Sequence, residues 1–148
     1  MKLLILDTEF RTDGKQKLSW DFKYQSNRLL QVSYYKCDDN MNNLVMKNFY
    51  IKQKQDPDED VFVHHSGTGL SAVFLNQYGI DIEECLTILN NDLSDCDRII
   101  GHNLSQDIET IKSETERNQM TINNSLLNNE NRHYCTMKQI KQTVGALD

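Results

Sequence analysis

Asp7 and Glu9 stand two residues apart at the end of an apolar run, Leu3-Leu4-Ile5-Leu6. The run is short, rich in branched side chains and stopped by charge, which is the pattern of a buried central strand. Side chains on a strand alternate faces, so both carboxylates project from the same side. Two like charges so placed repel each other and lose hydration, and a hard divalent cation is the usual compensation. Metal-assisted chemistry is what such a pair could perform. The plainer alternative, that the acids only mark where the strand leaves the core, holds for most Asp-x-Glu triplets, so other residues must decide.

Gly101-His102-Asn103-Leu104-Ser105-Gln106-Asp107 supplies a third acid. Asn103 precedes a helical period in which Leu104, Ile108 and Ile111 share one stripe, and its side chain is expected to cap that helix. Asp107 falls one turn in, at the margin of the stripe, where it would point along the sheet edge. An ordinary surface acid near a helix N-terminus is the competing reading. His102 is expected to pack or hydrogen-bond beside the cap.

The elements that must position these residues are legible as well. Leu29 to Tyr35 alternates as a second strand and Leu44 to Ile51 as a third, with Asn42-Asn43 turning between them. The two are expected to form an antiparallel hairpin beside the first strand. Asp81 to Leu93 is the clearest helix, with Ile82, Cys85, Leu86, Leu89 and Leu93 on one face and Asp81 and Glu84 as its start signal. Arg98-Ile99-Ile100 reads as a short buried strand ending at Gly101, followed by a helix from Asn103 to about Glu116. Thr121 to Arg132 is Asn-rich and aperiodic, a loop by pattern, and Thr136 to Thr143 reads as a last helix. Trp20, Phe22 and Tyr24 alternate within the polar stretch from Gly14 to Arg28, as a short strand or an aromatic surface.

The 148 residues fit a single domain, residues 1–148, with one real core. With 38% hydrophobic and 26% charged residues the chain falls among soluble globular proteins. Its net charge of −6 excludes a global basic field for collecting nucleic acid or anionic membrane. Any nucleic-acid partner would be held by local patches and bound metal. Arg11, Lys15, Lys17, Lys23 and Arg28, set against Asp13 and Asp21, form one such patch, or a solvated loop. Cys37, Cys85, Cys96 and Cys135 are scattered, which speaks against a zinc site or disulfide framework and for free thiols in a reducing compartment. No segment approaches the length of a membrane span, and Asp7 interrupts an apolar run too short for a signal peptide. An intracellular, cytoplasmic or nuclear, protein with no membrane partner is expected.

Taken together, Leu6-Asp7-Thr8-Glu9-Phe10 and Gly101-His102-Asn103 followed by Asp107 resemble the first two motifs of the DEDD 3′–5′ exonucleases. That family includes the proofreading subunit of bacterial DNA polymerase III, ribonuclease T and oligoribonuclease. Leu29-Leu30-Gln31-Val32-Ser33 is similar to its second strand, Val63 to Thr68 to its turn before a helix, and Cys135-Thr136-Met137 to the segment after its second motif. The resemblance covers nearly the whole chain. It implies an α/β, RNase H-like fold with a mixed central sheet and flanking helices, and two-metal hydrolysis at a nucleic-acid 3′ end, single-stranded by expectation. Asp7 would bridge two Mg²⁺ or Mn²⁺ ions, with Glu9 holding one and Asp107 the other. Substrate contacts would come from the backbone near Thr8, from Phe10, and from His64, His65 and Asn103. For Phe10 a core position is an equal alternative, and for the two histidines a surface position is the plainer one. No residue pattern selects DNA over RNA or sets an oligomeric state.

The family's third motif, a His or Tyr with an Asp four or five residues later, has no copy here. From His133 those spacings reach Met137 and Lys138. Gly145-Ala146-Leu147-Asp148 only echoes it, with Val144 where the base should stand, and Gln106 replaces the family's Phe before the second Asp. These departures imply a chain shortened at its C-terminus, slow or inactive by itself, or a non-catalytic nucleic-acid-binding or interaction module on the same fold. Loss of a general base alone typically costs on the order of 10²–10⁴ in rate.

Overall fold

Lys2–Thr12 forms β1, and burial along it alternates with a period of two. Leu4 and Leu6 are buried, Leu3 and Ile5 half-buried, and Asp7 and Glu9 exposed on that second face. β2 (Asn27–Asp38) and β3 (Val45–Tyr50) pair antiparallel, and β2 pairs antiparallel with β1, as the alternation predicts. Their turn is held by the Asp38 carboxylate, which accepts from the backbone N–H groups of Asn40 (3.0 Å) and Asn42 (2.8 Å). Met41 and Asn43 complete it with left-handed φ values of 61° and 56°. The computed structural model describes residues 1–12, 27–53, 69–122 and 124–144.

After the hairpin come α1 (Ala72–Tyr78), α2 (Ile82–Leu93) and β4 (Arg98–Gly101), which lies parallel to β1 on its free side. α3 (Leu104–Arg117), α4 (Asn124–Asn128), β5 (His133–Cys135) and α5 (Thr136–Val144) follow. The described strands form one mixed five-stranded sheet in the order β3-β2-β1-β4-β5. β1 is therefore central, as its apolar run requires. α2 and α3 lay their apolar stripes on the Leu4/Leu6 face: Leu86, Leu89, Leu104, Ile108 and Ile111 join Ile99 and Val32 in one core. α1 packs a smaller cluster with Leu30. Tyr34 and Lys47 tie the hairpin to the end of α2 through Asp92, at 2.5 and 2.6 Å.

Two expectations need correcting. The stretch from Thr121 to Arg132 is not all loop: α4 and a 3₁₀ turn (Glu130–Arg132) lie within it, because Leu126 and Leu127 are buried in the core. Two adjacent leucines in an Asn-rich stretch show no period, which hid the helix. Neither Asp81 nor Asn103 makes a side-chain capping hydrogen bond, although each occupies the N-cap position foreseen for it. Asn103 instead adopts a left-handed conformation (φ 53°, ψ 45°), which asparagine tolerates better than most residues.

Candidate active site

β4 stops pairing with β1 at Ile5–Ile100, which leaves the β1 edge from Leu6 onward without a β4 neighbour. The chain leaves β4 through Gly101 and turns into α3 across this gap. A Cβ on Gly101 would lie 3.0 Å from the Leu6 carbonyl oxygen and 2.7 Å from Leu104 Cδ1, so the close approach of the turn to β1 suits glycine. The left-handed Asn103 completes the turn. One helical turn later Asp107 comes against β1 at Thr8.

Asp107 is only 5% exposed, and its Oδ1 accepts a short hydrogen bond from the Thr8 hydroxyl. Burial pushes its carboxyl up to about 6; the Thr8 hydroxyl and backbone N–H oppose that shift, and the charges of Asp7 and Glu9 add to it. The Glu9 carboxyl is also raised, by burial and then by Asp7. Three carboxylates thus share one stretch of β1 and repel one another. They do not meet on one side: Asp7 and Glu9 flank Thr8 in sequence and face away from it, whereas Asp107 is turned onto Thr8. Accordingly, among the described residues no three His, Cys, Asp or Glu side chains are grouped to hold a metal ion. The donor chemistry nevertheless fits a hard cation, since carboxylate oxygens supply every candidate ligand and their mutual repulsion is what a cation relieves.

The other candidates are placed as follows. Thr8 is buried with its hydroxyl committed to Asp107, and Phe10 is half-buried just past the acids. Asn103 shapes the turn into α3. His64 and His65 lie outside the described residues, as do Trp20, Phe22 and Tyr24. His102 is exposed, its Nδ1 2.9 Å from the Thr136 hydroxyl at the start of α5, the hydrogen-bonding alternative of the two expected for it. Sequence reasoning overlooked a polar strip beside the acids. Ser33 is the register partner of Asp7 and Gln31 that of Glu9, and both side chains donate to Asn48 Oδ1 on β3, at 2.5 and 2.7 Å. The polar alternation of Gln31 and Ser33 was a visible signal, but only the register sets it next to the acids.

No protein-family model matches the chain, and no curated protein sequence does either. Its backbone is similar to that of E. coli exonuclease I. The structure of that enzyme with a dT13 oligonucleotide matches 97% of this chain at a TM-score of 0.71 and 15% identity. The complex described as ExoI/SSB-Ct matches the same share at 0.70 and 15% identity, and the complex with a dA16 oligonucleotide matches 80% at 0.59 and 17% identity. The fold is RNase H-like. This chain spans 24 to 30% of those exonuclease I chains, so it corresponds to less than a third of their length. No helix among the described residues is long and apolar enough to cross a membrane, and the four cysteines are free thiols.

Proposed function

We propose that this chain carries the acidic half of a metal-dependent 3′–5′ exonuclease site of the DEDD type, acting on the 3′ end of a single nucleic-acid strand. The observation that carries this reading is the buried Asp107, held at the open edge of β1 beside Asp7 and Glu9, on a fold shared with exonuclease I. Asp7 and Glu9 would hold Mg²⁺ or Mn²⁺ from the exposed face, and Asp107 would contribute from the edge, in part through water. Bound divalent ions would lower the pKa of a water so that hydroxide can attack phosphorus, and would stabilise the departing 3′ oxygen. The chain's own residues position that reaction: Thr8 orients Asp107, and Phe10 borders the place of the terminal nucleotide. In the hydrolysis an oxygen–phosphorus bond forms from water, the bond from phosphorus to the preceding 3′ oxygen breaks, and that oxygen takes a proton.

A second reading, a non-catalytic nucleic-acid-binding module on this fold, is favoured by the missing His/Tyr–Asp motif and by the turn of Asp107 onto Thr8. Two measurements separate them. Mn²⁺ titration by calorimetry and by thermal melting should reveal binding that Asp7→Ala removes. A 5′-labelled single strand should shorten from its 3′ end in Mn²⁺ with the unsubstituted chain and stay intact with Asp7→Ala. Manganese binding without shortening would leave the module reading standing, and absence of Mn²⁺ binding would remove the metal site altogether.

A further inference from the structure

We propose that a cleft at the far end of α3, outside the acidic site, binds a phosphate group. The cleft has a volume of about 300 Å³, and among its lining residues are Arg11, Arg28, Lys52 and Arg117, with Glu114 as the one carboxylate among the described residues. Leu29, Ile51 and Ile82 supply apolar wall. In a chain of net charge −6, four cations around one cavity form a local field of the opposite sign.

Secondary structure builds this concentration of charge. Arg11 and Arg28 are direct register partners across β1 and β2, and like charges placed opposite each other disfavour pairing. The pairing lies just beyond the bulge between Glu9 and Phe10, where twist and side-chain direction change. Arg11 breaks the exposed alternation of Asp7 and Glu9: it is 8% exposed, its Nε 3.4 Å from Gln53 Oε1. Glu114 is 4% exposed and pairs with Arg117 while also accepting from the Leu29 N–H at 3.3 Å. The one described acid in the lining is therefore already committed. The arginines engage partners of their own, yet each guanidinium has five donors in a planar fork, enough to serve the fold and a ligand together. Phosphate is the anion that such forks and a lysine match best. The volume would also admit the sugar of a nucleotide against the apolar wall.

The carrier of that phosphate is a free nucleotide or a phosphodiester of a bound strand. Calorimetry in EDTA, with inorganic phosphate, a nucleoside 5′-monophosphate and a short single strand as titrants, tests the site without the metal chemistry. Binding of phosphate and monophosphate is expected. Arg28→Gln and Lys52→Gln should each weaken it by about tenfold, the scale of one charge-assisted hydrogen bond. Lys52 is exposed, so its variant tests the site even if Arg28→Gln fails to fold. Asp7→Ala should leave the binding of inorganic phosphate and of the monophosphate unchanged, which separates this cleft from the acidic site. If the monophosphate competes with the strand, the cleft holds strand phosphate; if the two bind independently, its ligand is the free nucleotide. No binding of either small titrant, or binding indifferent to both Arg28→Gln and Lys52→Gln, overturns the proposal.

Discussion

Burial raises the Asp107 carboxyl while the Thr8 hydroxyl and backbone N–H hold it down, and the first effect wins, leaving it at about 6. The native state therefore keeps this proton at a pH where the unfolded chain, with an ordinary carboxyl near 4, has lost it. Its contribution to stability is fully present below about pH 4 and disappears as pH rises through about 6, a loss on the order of 3 kcal/mol. Asp107→Asn keeps an Oδ1 acceptor for Thr8 without the charge. Thermal melts from pH 4 to pH 7 should show a flatter profile for this variant and a higher midpoint than the unsubstituted chain at pH 7. Equal slopes would mean that Asp107 is not the group responsible. Thr8→Val removes one donor to the same carboxylate and should cost about 1–3 kcal/mol at pH 7. At pH 4, with the carboxyl protonated, the cost should shrink. A Thr8→Val penalty independent of pH would point to packing instead of the hydrogen bond.

Asn103 shows how an element can be foreseen correctly for an incorrect reason. The helix begins where a capping residue was expected, but the residue serves through its left-handed backbone and not through its side chain. The variants separate the two. Asn103→Gly should match or slightly exceed the stability of the unsubstituted chain. Asn103→Ser, a good side-chain cap but a poor left-handed residue, should lose about 1 kcal/mol in chemical denaturation. A tolerated serine would restore the capping account. The same contrast runs along the chain. β1, α2 and α3 were legible because long apolar periods leave one face no alternative to the core. α4 and β5 were not singled out, having five and three residues, too few for a period to emerge, and the seven-residue α1 was implied only by the resemblance of Val63 to Thr68 to a turn before a helix. The acids of the site were visible as residue types and spacing. Their arrangement was not, because the end of the β4 pairing and the placement of Asp107 at Thr8 are properties of register.

At the scale of the whole molecule, charge limits how a strand can be held. A net charge of −6 repels nucleic acid in general, and four described cations line one cleft. If the cleft neutralises one strand phosphate, the slope of log K against log salt for a single strand should be about −0.7. That is shallow beside a protein that binds through a broad basic face. The response to divalent ions is more decisive because its sign differs. On a polybasic surface Mn²⁺ competes for the phosphates and weakens binding. On the proposed reading it would be held by Asp7 and Glu9, with Asp107 contributing from the edge, and would form a bridge to strand phosphate, so affinity for a single strand should rise with Mn²⁺ at constant ionic strength. The Asp7→Ala chain, with one repelling charge gone and the bridge impaired, should bind somewhat better than the unsubstituted chain in EDTA and gain less from Mn²⁺. Fluorescence anisotropy with a labelled strand, repeated for both chains across a manganese series, measures the crossing of the two curves. Curves that fall together as Mn²⁺ rises would assign strand binding to the cations alone and leave the acidic cluster without a part in it.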